Sequence, residues 1–330
     1  MTTRRVFLFE YLSAVAGDRS DGTAVELRAE GRAMRTALQA DLAAVPGLEL
    51  SVADDRPEPP SGAADRSSTQ WVGQFAGEPL IDFVARQAGL NDLVWVVAPE
   101  TGGMLATLNA VVPPQRWIGC TGEAIGLASS KQATLSRLQH HGVATPLDFA
   151  SDSHVRQWVV KPDDGAGSLR TRRHDDRAAA LLDQRQRERG GEPASLEPWI
   201  DGDAMSLSLL VRDDRTEMLA VNRQRLAIDE EGWVSLIEVD IAVADIDEDR
   251  RKAFERIART VGAAIPGLSG WVGIDLVWHA GCGPVVIEVN PRITSAYVGM
   301  SAALGRNLAA EILAAHDSTR SRDALAHVAC

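Results

Sequence analysis

Residues 270–290, "GWVGIDLVWHAGCGPVVIEVN", constrain the fold more than any other stretch, because they predict two strands joined by a glycine-containing turn. The first strand carries Asp275, and the second carries Glu288 and Asn290, in runs that are otherwise apolar. Side chains alternate between the faces of a strand, so Glu288 and Asn290 share one face. The fold must therefore pair these strands and also account for three polar side chains among core-like residues.

The register of this hairpin decides whether the carboxylates meet. A turn centred on Gly281–Cys282 places Asp275 across from Glu288, whereas an odd-length turn shifts the pairing by one residue. Facing like charges repel, and buried carboxylates are costly unless they are paired or bound to a metal. A divalent cation relieves both problems, and the oxygen ligands of Asp275, Glu288 and Asn290 suit Mg²⁺ (or Mn²⁺) held jointly with phosphates. The alternative is a solvent-facing strand whose polar residues bind nothing.

Strands and helices alternate at the start of the chain, which predicts an open parallel α/β unit over the first ~115 residues. A Pro-, Gly- and Ser-rich loop at 54–68 interrupts it. A small α+β unit and a strand-rich region follow. The predicted strands are 5–9, 48–55, 92–99, 157–162, 168–173, 195–200, 204–211 and 216–228. The predicted helices are 22–45, 79–89, one within 129–146 that Ser130 caps and that ends before Gly142, 176–188, roughly 248–264 and 301–315.

Composition excludes several classes of protein. The 330 residues contain 34 Lys and Arg against 46 Asp and Glu, and this net charge of −12 disfavours a nucleic-acid binder. Cys120, Cys282 and Cys330 lack the spacing of a disulfide framework or a zinc site and fit a reducing compartment. No stretch approaches the roughly 18 apolar residues of a membrane span, and Val6–Phe9 is too short for a signal peptide. We therefore expect a cytoplasmic protein without a nucleic-acid or membrane partner.

A lysine and a glycine-rich stretch stand together in "VVKPDDGAGS" (159–168). Lys161, at the end of an apolar strand, is a compact cation suited to phosphates. Gly165 and Gly167 let the backbone approach phosphate oxygens, because glycine lacks a Cβ atom. No Gly-Lys-Ser/Thr follows, so this is not a P-loop. Taken alone, the stretch is equally consistent with a plain hairpin turn.

Four blocks, in order, resemble the ATP-grasp ligases over roughly residues 115 to 300: "ASSKQATLSRLQHHGVATP" (128–146), "VVKPDDGAGS" (159–168), "SLEPWIDGDAMSLSLL" (195–210) and "EVNPR" (288–292). The resemblance implies an ATP-grasp architecture of mixed α/β and α+β class. Its parts are an N-terminal open parallel α/β domain (1–115), a small lid subdomain (116–192) and a C-terminal antiparallel sheet domain with the metal-binding hairpin (193–330).

The resemblance also implies residue roles in binding ATP and its metal. Lys131 could instead be a solvated charge at a helix start, and Asp203 an ordinary turn residue. The implied roles are Lys131 and Lys161 at the phosphates; Gly165, Gly167 and Ser168 in a covering loop; Glu197 at the adenine amino group; Trp199 and Ile200 along the base; Asp203 at the ribose; and Asp275, Glu288 and Asn290 at the metal.

Arginines are candidates for the transferred phosphoryl group, alongside Lys161. Arg223 and Arg225 share one face of a strand, and a guanidinium there could hold the γ-phosphate or an acyl phosphate. A salt bridge to a nearby acidic residue is the competing interpretation. Arg292, two residues after Asn290, lies beside the predicted metal ligands, and we therefore expect it to clamp the substrate carboxylate or the acyl phosphate.

Three shorter matches look like the branch of the family that joins tyramine to L-glutamate in methanofuran-type cofactor synthesis: "FEYLSA" (9–14), "VVAPETGGML" (96–105) and "EVNPRITSAYVG" (288–299). On this resemblance Glu10 binds the amine and accepts its proton, and Ser13 binds a carboxylate or phenol. Each could equally be an ordinary loop cap.

We therefore expect an ADP-forming carboxylate–amine ligase that acts through an acyl phosphate. Its ligands are ATP, an amino-acid carboxylate and a small amine, and a homodimer is the candidate assembly. Alternatives are a ligase for another acid or amine (tyrosine, polyglutamate) and a nucleotide-binding regulator without turnover. A dinucleotide-dependent enzyme is disfavoured, because no Gly-x-Gly-x-x-Gly follows the first strand.

Overall fold

The computed structural model describes residues 3–15, 22–55, 69–165, 167–212 and 215–328. The chain divides into two compact units. Unit 1 comprises Met1–Pro99, Met104–Gly122 and Arg292–Cys330, and unit 2 comprises Glu100–Gly103 and Glu123–Pro291. Unit 2 is thus one nearly continuous stretch, whereas unit 1 takes chain from both sides of it.

The described elements alternate between strand and helix at first and then become strand-rich. Strands β1 to β13 are Arg4–Glu10, Leu48–Ala53, Thr69–Val72, Leu93–Val97, Trp117–Ile118, Trp158–Pro162, Arg172–His174, Ala194–Pro198, Asp203–Arg212, Arg215–Ile228, Val234–Asp240, Gly270–His279 and Gly283–Asn290. Helices α1 to α10 are Tyr11–Ala14, Gly22–Ala43, Leu80–Leu90, Met104–Ala110, Gly122–Ala128, Lys131–His140, Arg177–Arg189, Glu248–Ala264, Met300–Leu304 and Leu308–Val328.

Unit 1 is built on a five-stranded parallel sheet in the order β3-β2-β1-β4-β5. Every residue of β4 is buried, as expected of a parallel strand with both faces covered. Two predicted helix boundaries differ from the structure at a glycine. Helix α3 runs through Gly89 to Leu90, and its C-cap is Asn91, whose backbone N–H and side-chain amide both donate to Gln87 O. The helix predicted at 301–315 is broken at Gly305, which has a left-handed φ of 64°.

Unit 2 contains two antiparallel sheets, with strand orders β11-β10-β9-β12-β13 and β7-β6-β8. On the larger sheet, Leu207, Ile274 and Val289 lie in one cross-strand row and are all buried. Helix α8 covers part of this sheet and has the predicted bounds, Glu248–Ala264. The prediction of ATP-grasp architecture with parallel and antiparallel sheets is confirmed.

The hairpin of β12 and β13 has the predicted register at its polar end but not at its turn. Asp275 pairs with Glu288, as predicted. The turn, however, is of odd length, because His279 pairs with Gly283. A β-bulge follows Asp275, since Leu276 pairs with Val286 and leaves Ile287 as the extra residue. The bulge offsets the shift that an odd turn introduces.

Some predictions fall partly outside the described residues. The predicted loop at 54–68 includes 56–68, and the predicted phosphate-covering loop includes Ala166, none of which the structure describes. The three-part division at 115 and 192 stays a prediction.

Among the described helices, none is long and apolar enough to cross a membrane.

Candidate active site

A row of polar side chains crosses four strands of the larger sheet in unit 2. The register aligns Asn222 on β10 with Ser206 on β9, Ser206 with Asp275 on β12, and Asp275 with Glu288 on β13. Asn222 is fully buried, and its side-chain amide donates to Ser206 Oγ (3.2 Å) and Ser208 Oγ (3.0 Å). A polar row of this length is costly inside a sheet unless its side chains are hydrogen-bonded or ion-paired. This face of the sheet is therefore a candidate functional site.

Asp275 is oriented by two amide side chains. Its Oδ1 accepts a hydrogen bond from Gln224 Nε2 (2.8 Å), and its Oδ2 accepts one from Asn290 Nδ2 (3.0 Å). Gln224 lies on β10 and therefore reaches across β9 to meet this carboxylate. The sequence reasoning missed Gln224. The available signal was the alternation of Asn222 and Gln224 with the two arginines of the same strand.

Lys131 joins the hairpin to the glycine-rich stretch. Its Nζ lies 3.1 Å from Glu288 Oε1 and donates to Gly165 O. The side chain is buried, which alone would lower the pKa of Lys131, but the charges of Glu288, Glu100 and Glu197 and the hydrogen bond to Glu288 raise it. Lys131 therefore stays charged. Glu100, itself buried, is a second residue that the sequence reasoning missed.

Lys161 and Glu197 form a buried ion pair on the smaller sheet. Lys161 Nζ lies 2.9 Å from Glu197 Oε2, and the residues are 5% and 2% exposed. Lys161 pairs with Ser195 across β6 and β8, which puts Glu197 two residues along the same face. Glu197 Oε1 is buried and accepts no hydrogen bond within the described residues. A buried carboxylate oxygen without a hydrogen-bond donor can accept an N–H group of a bound ligand.

The residues after Lys161 are tied to the start of helix α6. Asp163 Oδ1 accepts from Gln132 N (2.9 Å) and Asp163 Oδ2 from Ser130 Oγ (2.7 Å), while Ser130 caps the helix at Ala133 N. Asp164 Oδ2 accepts from Gly102 N (2.8 Å). Gly165 is buried, Gly167 has a φ of 63°, and Ser168 is half-buried. These contacts bring the predicted loop to Lys131.

The predicted adenine hinge lies at the end of β8. Ile200 is buried, and Trp199 is half-buried with its indole N–H donating to Asp201 Oδ1 (3.1 Å). The guanidinium of Arg173 lies 5.5 Å from the centre of the Trp199 ring. Asp203 is exposed and accepts from Arg250 (3.1 Å). Their roles at a base or ribose stay predictions.

The predicted arginines have protein partners. Arg225 pairs with Glu238, and Arg223 pairs with Asp245 at 3.0 Å, on an exposed face of β10. These are the salt bridges that the sequence left open as an alternative. Arg292 begins the last segment of unit 1, is half-buried, and donates from Nη1 to Ile293 O (3.2 Å). A role at the phosphoryl group stays a prediction for Arg225 and Arg292.

Glu10 and Ser13 form a helix cap in unit 1. Glu10 is 1% exposed, and its carboxylate accepts from Leu12 N (3.0 Å) and Ser13 N (2.7 Å). Ser13 Oγ donates to Glu10 O (3.2 Å). Burial raises the pKa of Glu10, against the hydrogen bonds from Ser13 and Leu12 and the charge of Arg35, which lower it. This geometry is the cap that the sequence left open, and substrate binding by either residue stays a prediction.

The polar end of the hairpin suits a divalent cation shared with phosphates. Asp275 and Glu288 supply facing carboxylates, and Asn290 adds an amide beside Asp275. Among the described residues, no three His, Cys, Asp or Glu side chains gather into a metal site of their own. A cation here would therefore take further oxygens from a ligand, as Mg²⁺ does when it is held with phosphates.

Comparisons with known proteins identify the family of the chain. Residues 128–296, just over half of the chain, match the ATP-grasp domain, and residues 50–125 match the pre ATP-grasp 3 domain. The chain therefore belongs to the ATP-grasp family, whose enzymes use ATP and divalent metal ions and are ligases. No curated protein sequence matches the chain.

Solved structures show the same fold at low identity. An ATP-grasp superfamily protein from Archaeoglobus fulgidus is 22% identical, with 94% of this chain and 88% of that chain covered and a TM-score of 0.65. D-alanine–D-alanine ligase from Bacillus anthracis is 16% identical, with coverages of 97% and 100% and a TM-score of 0.66. L-amino acid ligase from Bacillus licheniformis is 18% identical, with coverages of 94% and 73% and a TM-score of 0.62.

Proposed function

We propose that the protein is an ADP-forming carboxylate–amine ligase that activates a carboxylate as an acyl phosphate. The observation that carries this proposal is the pair of buried lysines, Lys131 and Lys161, each held by a glutamate of unit 2. A buried ammonium is costly to maintain, and two of them supply the charge that brings a polyphosphate to an anionic substrate. The ATP-grasp family membership supplies the rest of the reasoning.

Different residues bind the phosphates, the base, the ribose and the metal ion of MgATP. Lys131 and Lys161 neutralise phosphates, and the backbone around Gly165, Gly167 and Ser168 covers them. The orphaned Glu197 Oε1 accepts from the adenine amino group, with Trp199 and Ile200 beside the base and Asp203 at the ribose. Asp275, Glu288 and Asn290 would hold Mg²⁺, which would offset the negative charge that develops during transfer.

The reaction then runs in two balanced steps. The substrate carboxylate oxygen attacks the γ-phosphorus of ATP, and the bond to the β-phosphate oxygen breaks, which gives an acyl phosphate and ADP. The neutral amine next attacks the acyl carbon, a C–N bond forms, and the C–O bond to phosphate breaks. Arg292 is our first candidate to clamp the acyl phosphate, because a guanidinium fork matches its oxygens, and Arg225 is the second. The amine proton passes to an acceptor, for which Glu10 remains the candidate, with Ser13 beside it.

We further propose that the acid is L-glutamate, activated at its γ-carboxyl, and that the amine is aromatic and tyramine-like, as in methanofuran-type cofactor synthesis. The support is the resemblance of residues 9–14, 96–105 and 288–299 to that branch. In the described part of the chain, Glu100 of the second stretch is buried, and its charge acts on Lys131. Glu100 therefore contributes to the electrostatic surroundings of Lys131. A cytoplasmic homodimer is the assembly that we propose.

The test is product analysis with a matrix of acids and amines. The protein is incubated with ATP, Mg²⁺, glutamate and tyramine, and a γ-glutamyl amide is sought by mass together with ADP. AMP and pyrophosphate instead of ADP would refute the acyl-phosphate mechanism. ADP formation only with another pair, such as tyrosine or a second glutamate, keeps the ligase class and removes these substrates. Nucleotide binding without turnover across the matrix would favour a regulator.

A further inference from the structure

Lys131 holds two parts of the site together. Its Nζ lies 3.1 Å from Glu288 Oε1 on β13 and also donates to Gly165 O in the glycine-rich stretch. The side chain is 4% exposed, so water contributes little to solvating its charge. The ammonium is a compact charge with three donors and can serve both partners at once.

The ammonium of Lys131 neutralises the charge of Glu288, as a metal ion bound there would do. Asp275 and Glu288 face each other on adjacent strands, an arrangement that repels unless a cation lies nearby. Asp275 receives two amide hydrogen bonds, which carry no net charge. Glu288 receives the ammonium of Lys131, which compensates the negative charge of the pair.

Two cations crowded at one carboxylate repel each other strongly in a site with little water. A divalent ion at Glu288 would thus disfavour an ammonium that lies 3.1 Å from the same side chain. A nucleotide changes this balance, because its phosphates offer Lys131 another anion. Lysine suits such an exchange, since its flexible four-carbon stem lets the charge move without a change in the backbone.

We propose that Lys131 and the divalent cation are alternative counter-ions of Glu288, so that Lys131 leaves Glu288 for the phosphates when metal and nucleotide bind. This inference rests on the metal and phosphate roles proposed above, and it adds the order in which they act. Metal alone meets an occupied carboxylate and binds weakly. Nucleotide takes Lys131 away and frees Glu288, so metal and nucleotide assist each other, and linkage makes that assistance equal in both directions.

A further consequence concerns Gly165. Lys131 contacts Gly165 O and Glu288 with the same ammonium, so its departure from one contact alters the other. Movement of Lys131 to the phosphates would remove the hydrogen bond that Gly165 O accepts. Gly165 and Glu288 are therefore linked through Lys131.

The experiment measures Mn²⁺ binding to the full-length protein without nucleotide, by the electron paramagnetic resonance signal of free Mn²⁺. Lys131→Met should tighten Mn²⁺ binding by about tenfold or more, since the competing cation is gone. Lys161→Met is the matched control, because it removes the same charge from a lysine whose partner is Glu197, and we expect a change below about threefold. Lys131→Arg keeps the charge and should not tighten binding.

The outcomes separate this inference from the proposed function. Unchanged Mn²⁺ affinity in Lys131→Met, or equal tightening in Lys161→Met, would overturn the exchange while leaving the ligase proposal intact. Adding Glu288→Gln to Lys131→Met should abolish the gain, and persistence of the gain would also overturn it. If dialysis shows that the wild-type protein with ADP retains no more Mn²⁺ than ADP alone, the metal site itself fails, and both proposals fall. Melting curves of each variant confirm that the fold persists.

Discussion

Glu10 in unit 1 and Glu288 in unit 2 both lie near the end of a strand, the first buried and the second half-buried, and different kinds of donor hold their carboxylates. The oxygens of Glu10 accept backbone N–H groups of the next turn, at 3.0 and 2.7 Å. A Cβ atom added to Gly31 would lie 2.6 Å from either oxygen, so helix α2 closes the space around it. Glu288 is held by the side chain of Lys131.

The difference teaches which carboxylate can change partners. Backbone donors are fixed by the helix that they begin, so Glu10 can leave them only if the cap is broken. Lys131 can rotate away at the cost of its rotamer, its ion pair and its hydrogen bond to Gly165 O, with no change in the helix that carries it. Glu288 can therefore exchange its lysine partner for another cation, whereas Glu10 keeps its backbone partners as long as the helix cap is intact.

The largest expected effect tests the exchangeable carboxylate. Glu288→Gln and Asp275→Asn should each lower kcat of ADP formation by more than ~100-fold, because each removes charge from the proposed metal ligands. Asp275→Asn should fold, since it relieves repulsion between facing carboxylates, whereas Glu288→Gln also removes the ion-pair partner of buried Lys131 and should lower the melting temperature without unfolding the protein. Glu217→Gln is the control, a glutamate on β10 of the same sheet that pairs with Arg212. Near-wild-type turnover in both site variants would contradict the metal assignment.

An intermediate effect tests the orientation of Asp275. Gln224→Leu removes the amide that donates to Asp275 Oδ1 and should weaken Mn²⁺ binding in the presence of ADP by about 10-fold, as expected for a residue that orients a metal ligand. Gln224→Glu replaces that donor with a third carboxylate, which adds negative charge beside Asp275. Because this charge repels Asp275, the melting temperature of Gln224→Glu should fall more than that of Gln224→Leu. Equal Mn²⁺ affinity in wild type and Gln224→Leu would show that Asn290 alone suffices.

The smallest effect tests the permanent carboxylate. Gly31→Ala would ordinarily stabilise a helix interior by roughly 0.5–1 kcal/mol, but here the new methyl meets Glu10, so we expect the free energy of unfolding to fall by about 1–2 kcal/mol. Glu10→Ser keeps a capping oxygen and removes the obstruction, so Gly31→Ala should become neutral or stabilising in that background. Urea unfolding of the four proteins completes the cycle.

The Glu10→Ser variant also tests whether Glu10 is only a helix cap. Loss of amide formation in Glu10→Ser with little loss of stability would indicate that Glu10 contacts the amine substrate. Full activity would leave it as a cap alone.

The sequence predicted the fold where periodicity was strong and failed where strands were short or peripheral. Helix α8 matched to the residue, because it combines an Asp247 cap with a regular apolar face. Strand β3 has only four residues and β11 is an edge strand with Ile237 exposed, and neither was predicted. Edge strands carry weak burial patterns, so their signal is small.

Site residues could be predicted only where the residue types and their spacing within one stretch of the chain indicate a role. The pairing of Asp275 with Glu288 was correct because the bulge at Ile287 cancelled the shift from an odd-length turn, and that bulge was not predicted. Such a compensation depends on packing and leaves no mark in one sequence. The contacts of Gln224 with Asp275, and of Lys131 with Glu288, join residues far apart in the chain. Only the folded sheet brings them together.

The division of the chain into an inserted unit and an interrupted one also bears on how the protein is made. Unit 2 runs almost without a break from Glu123 to Pro291, so its strands can pair while the last segment is still within the ribosome. Unit 1 must wait for that segment, since Tyr297 and Ser301 both donate to Asp41 Oδ2 at 2.5 Å and Arg4 pairs with Asp317. The five strands of its sheet are therefore synthesised first, whereas its contacts with the last segment form last, and in this interval the nascent chain most needs protection from aggregation.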